Sequence, residues 1–151
     1  MLGDATAAQS ELDRMSIPSR SAPETLEIAW EIYSATGAWL EAFAAAARLV
    51  QAAPEQDGGW IHRAFAARRM PGGGLEAART ALLPAVKMFP KQFLVPYNLS
   101  CYAAQLGQLG EAWEWLERAM AVGNRETVRR MALRDEDLQP LWSRLQGSHR
   151  D

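Results

Sequence analysis

A pattern with a period of about 34 residues occurs three times along the chain. In each copy an alanine is followed, twelve positions later, by a proline or an asparagine. The alanines are Ala42, Ala78 and Ala112, and the residues that follow them are Pro54, Pro90 and Asn124. Repeats of this length are typical of helix-turn-helix units, which bury their apolar faces by stacking on one another.

Apolar residues recur at helical spacing within each copy, as at Leu26, Trp30 and Tyr33. Glycines divide each copy into two helices, at Gly37 and Gly107 in the first and third copies. In the second copy the sequence Met-Pro-Gly-Gly-Gly at 70–74 divides the helices, and Pro84 predicts a kink between Thr80 and Pro84. Alanine-rich runs and few clusters of β-branched residues agree with this pattern, so we predict an all-α fold.

The pattern resembles the tetratricopeptide repeat, in which W-x2-L-G-x2-Y, A-x3-F and P mark two antiparallel helices. The matching residues of the first copy are Leu26, Tyr33, Gly37, Ala42 and Pro54; of the second, Trp60, Ala64, Ala78, Leu82 and Pro90; and of the third, Leu99, Ser100, Gly107, Ala112, Leu116 and Ala119. This resemblance implies helical hairpins stacked as a short right-handed α-solenoid. Trp30 departs from the family pattern, which prefers a small residue there, so the first pair of helices is expected to splay or turn.

The resemblance divides the chain into a flexible N-terminal segment, one repeat domain and a short tail. Small residues, among them Ala64, Ser100 and Ala119, are expected to let paired helices approach closely. A stripe of Leu138, Leu141, Trp142 and Leu145 predicts a C-terminal capping helix, with Asp135 as its N-cap. The predicted ranges are 1–22 for the segment, 23–146 for the domain, about 23–56, 57–92 and 93–126 for the repeats, 126–146 for the capping helices and 147–151 for the tail.

Charge and cysteine content narrow the possible functions. The net charge of −2 gives no broad positive field, so neither nucleic acid nor a membrane surface is an expected partner. Cys101 is the only cysteine, which excludes an intramolecular disulfide and a cysteine-rich zinc site, so no metal or cofactor is expected. With neither a secretion signal nor a long apolar run, the sequence predicts a cytoplasmic protein.

Family resemblance implies that the first helix of each repeat lines a concave groove, which binds a peptide or a protein segment. The groove residues expected here are Phe65, Arg68, Arg69, Tyr97, Asn98, Cys101 and Gln105. Some family members clamp a terminal carboxylate with two asparagines. Asn98 matches one of them, whereas Ile61 and Phe65 stand where the clamp needs polar donors.

Each of these features also has a structural interpretation. The Asn98 side chain is as well suited to a hydrogen bond with the backbone of its own repeat. The pairs Arg68–Arg69 and Arg129–Arg130 are typical of solvated helix faces. Trp113 and Trp115 lie two positions apart and cannot share one face of a helix. We expect one of them to be buried in the core and the other to be covered by the C-terminal helices or exposed to a partner.

Alternatives from other functional classes remain open. One is a small three-repeat chaperone of an exported or unfolded client, which dimerises through its N-terminal helix. Another is an enzyme that uses His62 and Cys101, although these two lack a third orienting group. RNA binding would need a continuous basic stripe, and the glutamates at Glu27, Glu31 and Glu114 argue against one. We therefore expect a non-enzymatic adaptor, either a monomer or a weak homodimer.

Overall fold

The computed structural model describes residues 2–14 and 22–147, and in these ranges the chain is helical, without a strand. The predicted all-α class is confirmed over this part of the chain. Neighbouring helices pack as the predicted helical repeat requires. The chain divides into two compact units, residues 1–81 and 82–151.

The first unit is built around two helices joined by a two-residue turn. Its helices are α1 (Leu2–Arg14), α2 (Pro23–Thr36), α3 (Trp39–Ala52), α4 (Asp57–Arg69) and α5 (Leu75–Leu82), which ends where the second unit begins. Gly37 ends α2 as predicted, with φ of 74°, a left-handed conformation that glycine adopts at low cost. Helix α3 packs on both α2 and α4.

Part of the N-terminal segment is helical in the structure. Helix α1 covers Leu2–Arg14 and packs against α2. Leu12 is buried there against Ala29 and Ala45. Leu12 thus packs α1 against small residues of α2 and α3. Part of the remaining segment, residues 15–21, lies outside the described ranges.

Proline breaks the second helix of the second repeat. The sequence predicted a kink between Thr80 and Pro84, whereas the structure has a full break: α5 ends at Leu82, Leu83 and Pro84 form a turn, and a short helix α6 (Ala85–Met88) follows. Proline lacks the N–H that the helical hydrogen bond requires, and its ring collides with the preceding turn. The boundary between the two units falls at this interruption, between Ala81 and Leu82.

The second unit contains the third predicted hairpin and the C-terminal elements. After α6 come α7 (Leu94–Gln105), α8 (Leu109–Val122), α9 (Arg125–Ala132), a 3₁₀ helix η1 (Glu136–Leu141) and α10 (Trp142–Gly147). Helices α7 and α8 pack along each other, and Ser100 Oγ donates a 2.6 Å hydrogen bond to the carbonyl of Ala112 across their contact. Trp113 is buried and Trp115 is half-buried against the same core, as predicted.

Small residues lie where the helices come closest. Ala42, Ala64, Ala78, Ser100, Ala112 and Ala119 are all fully buried, which confirms their predicted role in close packing.

The C-terminal stripe is buried as predicted but is not one helix. Leu138 and Leu141 belong to η1, and Leu145 belongs to α10. Pro140 lies inside the stripe, where it removes a backbone donor, so the first turns take the tighter 3₁₀ form. Asp135 is the N-cap, as predicted, and accepts a hydrogen bond from the N–H of Asp137.

Candidate functional site

Five side chains of the first unit form a continuous group that we call the aromatic surface: Trp30, Trp39, His62, Phe65 and Arg69. Trp30 lies in the middle of α2 and Trp39 is the first residue of α3. The other three lie on α4 at positions i, i+3 and i+7, a spacing that places them on one face of the helix. Because α3 packs on both α2 and α4, side chains from three helices meet here.

Trp30 is the centre of this group. Its indole stacks on the imidazole of His62, with the ring centroids 4.6 Å apart and an angle of 18° between the planes. The Phe65 ring meets Trp30 edge-on, at 6.0 Å and 84°, and lies 5.8 Å from Trp39. Trp30 is only 6% exposed, whereas Phe65 is 37% exposed. A buried indole thus supports an aromatic ring that solvent or a partner can reach.

Arg69 covers one side of this ring. Its guanidinium carbon lies 3.6 Å from the centroid of Phe65 and 5.3 Å from that of Trp39, which are cation–π distances. Arg69 Nη1 also donates a 2.9 Å hydrogen bond to the carbonyl of Phe65. These contacts fix the cation at the C-terminal end of α4, where the helix dipole favours positive charge.

His62 lies toward the opposite, N-terminal end of the same helix. Its Nε2 is 3.2 Å from Oε2 of Glu27 on α2. Burial lowers the pKa of His62 below its usual value, and the neighbouring Glu27 carboxylate opposes this shift. Burial therefore favours the neutral imidazole, in which Nε2–H donates a hydrogen bond to Glu27.

Two further carboxylates act on His62. Glu31, one turn after Glu27 on α2, and Asp57, the first residue of α4, both raise the pKa of the imidazole through their charge. We call Glu27, Glu31 and Asp57 the acidic end of the surface. The rings of the aromatic surface therefore lie between the acidic end and the cation of Arg69.

The seven side chains predicted to line the groove divide between the two units. Phe65 and Arg69 are exposed and belong to the aromatic surface, whereas Arg68 is half-buried. In the second unit, Tyr97 and Cys101 are buried, Asn98 is half-buried and Gln105 is exposed; all four lie on α7.

Tyr97 and Cys101 do not face an open surface, which corrects the prediction for these two residues. Tyr97 donates a 2.9 Å hydrogen bond to Oδ2 of Asp135, and Cys101 Sγ lies 3.7 Å from the same oxygen. Gln105 Nε2 donates to the carbonyl of Asp137. The segment that leads into η1 therefore covers this face of α7.

Burial raises the pKa of the Tyr97 hydroxyl, and the neighbouring Cys101 and Asp135 raise it further. Tyr97 is accordingly a neutral donor. Potential metal ligands from Cys101, Asp135 and Asp137 lie within 4.8 Å of one another. Asp135 already accepts hydrogen bonds from Tyr97 and Cys101, so a cation there would compete with these bonds.

The two residues of the Cys–His hypothesis have separate local partners. His62 bonds to Glu27 in the first unit, and Cys101 bonds to Asp135 in the second. Each of the two side chains therefore has a polar partner within its own unit.

Models of protein families give no match to the chain, and a search of curated proteins gives none either. Among the described residues, no helix combines the length and the apolar character needed to cross a membrane.

Sequence reasoning named Phe65 and Arg69 but did not place Trp30, Trp39 or His62 in the site. Trp30 was noted only as a departure from the repeat pattern, and this departure was the available signal. A large ring at a position that is usually small has to be covered by a neighbouring helix, and here His62 and Phe65 of α4 cover it.

Proposed function

We propose that this chain is a protein-interaction module of the tetratricopeptide type that binds a peptide or a protein segment through its aromatic surface. The observation that supports this proposal most directly is the 37% exposure of Phe65 on the buried Trp30, beside Arg69. Aromatic and arginine side chains contribute most of the energy at many protein interfaces, especially where they are held in a well-packed surround.

Preorganisation is the physical advantage of this arrangement. Ring contacts with Trp30 and Trp39 hold Phe65, and the hydrogen bond to the Phe65 carbonyl holds Arg69. A partner that binds these side chains loses less conformational freedom than one that must first order them. The proposed module is a non-enzymatic, cytoplasmic adaptor.

Exposed apolar residues of the two units provide a matched test. Phe65 is 37% exposed and Leu109, in the second unit, is 42% exposed. The wild-type chain is immobilised and mixed with a cytoplasmic extract. Segments that bind to it are cross-linked and identified. A synthetic peptide of each segment is then titrated against the purified variants. We expect Phe65→Ala to weaken peptide binding about tenfold or more and Leu109→Ala to change it less than about twofold.

Thermal unfolding of both variants checks that they remain folded. Equal binding of the peptides by wild type and Phe65→Ala, with both folded, would refute the proposal that this surface is the site. Loss of binding in Leu109→Ala alone would move the interaction to the second unit.

A further inference from the structure

We infer that the segment bound by the aromatic surface is basic: an apolar side chain of the partner covers Phe65, and a neighbouring lysine or arginine lies at the acidic end. This inference rests on the proposed function and specifies its ligand. It follows from two independent features of the first unit, an exposed ring on a rigid support and the sign of the charge beside it.

The first feature is the accessible part of the aromatic surface. Trp30 is almost fully buried, and Phe65 is the most exposed of the four rings. Arg69 covers one side of the Phe65 ring and Trp30 lies against its edge. Phe65 therefore offers a contact for an apolar side chain of the partner.

The second feature is the charge next to this ring. His62 is three residues before Phe65 on α4, about one helical turn, and both rings contact Trp30. Glu27, Glu31 and Asp57 all act electrostatically on His62. Three carboxylates beside one histidine give this end of the surface a net negative charge, because even a protonated imidazole would offset only one of them.

The structure keeps these carboxylates close to the aromatic surface. Glu27 is held by His62, and its Oε1 would lie 3.2 Å from a Cβ placed at Gly58, so this carboxylate sits against the first turn of α4. Asp57 is the first residue of the same helix, where the dipole stabilises a negative charge. Burial of Trp30 beneath His62 fixes the distance between the acidic end and Phe65.

A cation beside an apolar side chain complements this arrangement. An acidic or phosphorylated segment would meet the repulsion of three carboxylates, whereas a basic one is attracted by them. Arg69 at the other end disfavours a second basic residue there. The partner is therefore expected to carry its lysine or arginine within about one helical turn of the apolar residue, on the side that faces the N-terminus of α4.

Random twelve-residue peptides displayed on phage and selected on the full chain test this inference. We expect the selected peptides to be enriched in lysine and arginine next to an apolar residue. A selected peptide is then synthesised with lysine or with norleucine at the basic position, and both forms are titrated by fluorescence anisotropy. Replacement by norleucine is expected to weaken binding about two- to fivefold or more at low salt, and the difference is expected to shrink as salt is added.

Matched variants locate the effect. Glu31→Gln removes one carboxylate of the acidic end and is expected to weaken binding of the lysine peptide about two- to fivefold. Glu41→Gln is the control, because Glu41 makes the same change of charge on α3 but lies beside α1 residues such as Gln9 and Asp13. Glu31 is exposed, so this variant is expected to fold normally.

The outcomes separate the inference from the proposed function. Peptides without basic residues that still lose binding in Phe65→Ala would overturn the inference and leave the proposed function standing. Peptides whose binding is insensitive to both Phe65→Ala and Glu31→Gln would overturn both. Selection of peptides that resemble the Arg129–Arg130 segment, together with dimer formation that Glu31→Gln weakens, would support the basic ligand and identify it as a second copy of the chain.

Discussion

The imidazole of His62 lies parallel to the indole of Trp30, 4.6 Å away and tilted by only 18°. This stack joins the middle of α2 to the first half of α4. It also holds a half-buried titratable ring between an indole and a carboxylate, so the protonation of His62 is coupled to the packing of the first unit.

Acidification is expected to destabilise the chain through His62. Its pKa is lowered in the folded chain by burial, so the unfolded chain binds the proton more readily. The contribution of neutral His62 to the unfolding free energy is therefore present above about pH 6.5 and is lost as the pH falls from there through the folded-state pKa.

His62→Phe retains a stacking ring but has no titratable nitrogen. Urea unfolding of wild type and variant from about pH 8 to about pH 5 measures the difference, since the other titratable groups are common to both. The wild type is expected to lose more stability than the variant on acidification. Parallel pH profiles would show that His62 has no such role.

Gly59 is expected to tolerate no side chain. A Cβ at this position of α4 would lie 3.2 Å from Leu49 Cγ, Val50 Cγ2 and the backbone nitrogen of Val50 on α3. Because the backbone atom cannot move away, we expect Gly59→Ala to lower the unfolding free energy by about 1–2 kcal/mol, although alanine favours helix.

Gly110 of α8 is the control, since a Cβ there has no atom within 4 Å. Gly110→Ala is expected to stabilise by up to about 1 kcal/mol. Chemical unfolding measures both. A stabilising Gly59→Ala would contradict the close approach of α3 and α4.

The hydrogen bond between Tyr97 and Asp135 is expected to contribute to the stability of the second unit. Tyr97→Phe removes the donor and should cost about 1 kcal/mol. Asp135→Ala removes the acceptor of Tyr97 and the N-cap of η1 together, and should cost about 2–3 kcal/mol. Glu136→Ala, at the exposed neighbouring position, should be nearly neutral.

The double variant Tyr97→Phe/Asp135→Ala tests whether the two residues act as a pair. Its loss of unfolding free energy should be smaller than the sum of the single losses, because the same bond is removed in both. Additive losses would show that the hydrogen bond between the two side chains does not itself contribute to the unfolding free energy.

Two substitutions of Ser100 are expected to separate the cost of losing a hydrogen bond from the cost of adding side-chain volume. Its side chain is fully buried and donates to the Ala112 carbonyl. Ser100→Ala removes the bond but fits the gap, so a cost of about 1 kcal/mol is expected. Ser100→Val also adds volume between α7 and α8, and should cost about 1–3 kcal/mol more. Equal melting temperatures for the two variants would contradict the tight contact.

Local chemistry made much of the fold predictable from the sequence. Gly37 and Gly107 both adopt positive φ and both end helices, as their positions in the repeat predicted. Ala42 and Ala112 are fully buried, because close helix packing requires a small residue at this position of the repeat. The sequence shows this requirement as a recurring alanine. These features depend on short stretches of chain, which explains why the sequence revealed them.

The features that were missed depend on residues distant in sequence. Tyr97 and Cys101 have the spacing of a groove face, and nothing in their neighbourhood indicates that Asp135, 38 and 34 residues later, bonds to them. The aromatic surface likewise requires α2, α3 and α4 to be packed before Trp30 meets His62. Which helix faces meet is decided by side-chain packing that periodicity does not encode.

The bond from Tyr97 to Asp135 also bears on how this chain can be used in protein engineering. A fragment that ended with the α7 and α8 hairpin would leave the Tyr97 hydroxyl without its acceptor and would uncover the apolar residues that Leu138 and Leu145 bury. The third repeat is thus not an interchangeable building block that can be excised or duplicated by itself. Its smallest transferable form extends at least through Leu145, so a consensus array assembled from this sequence would have to carry its own C-terminal segment.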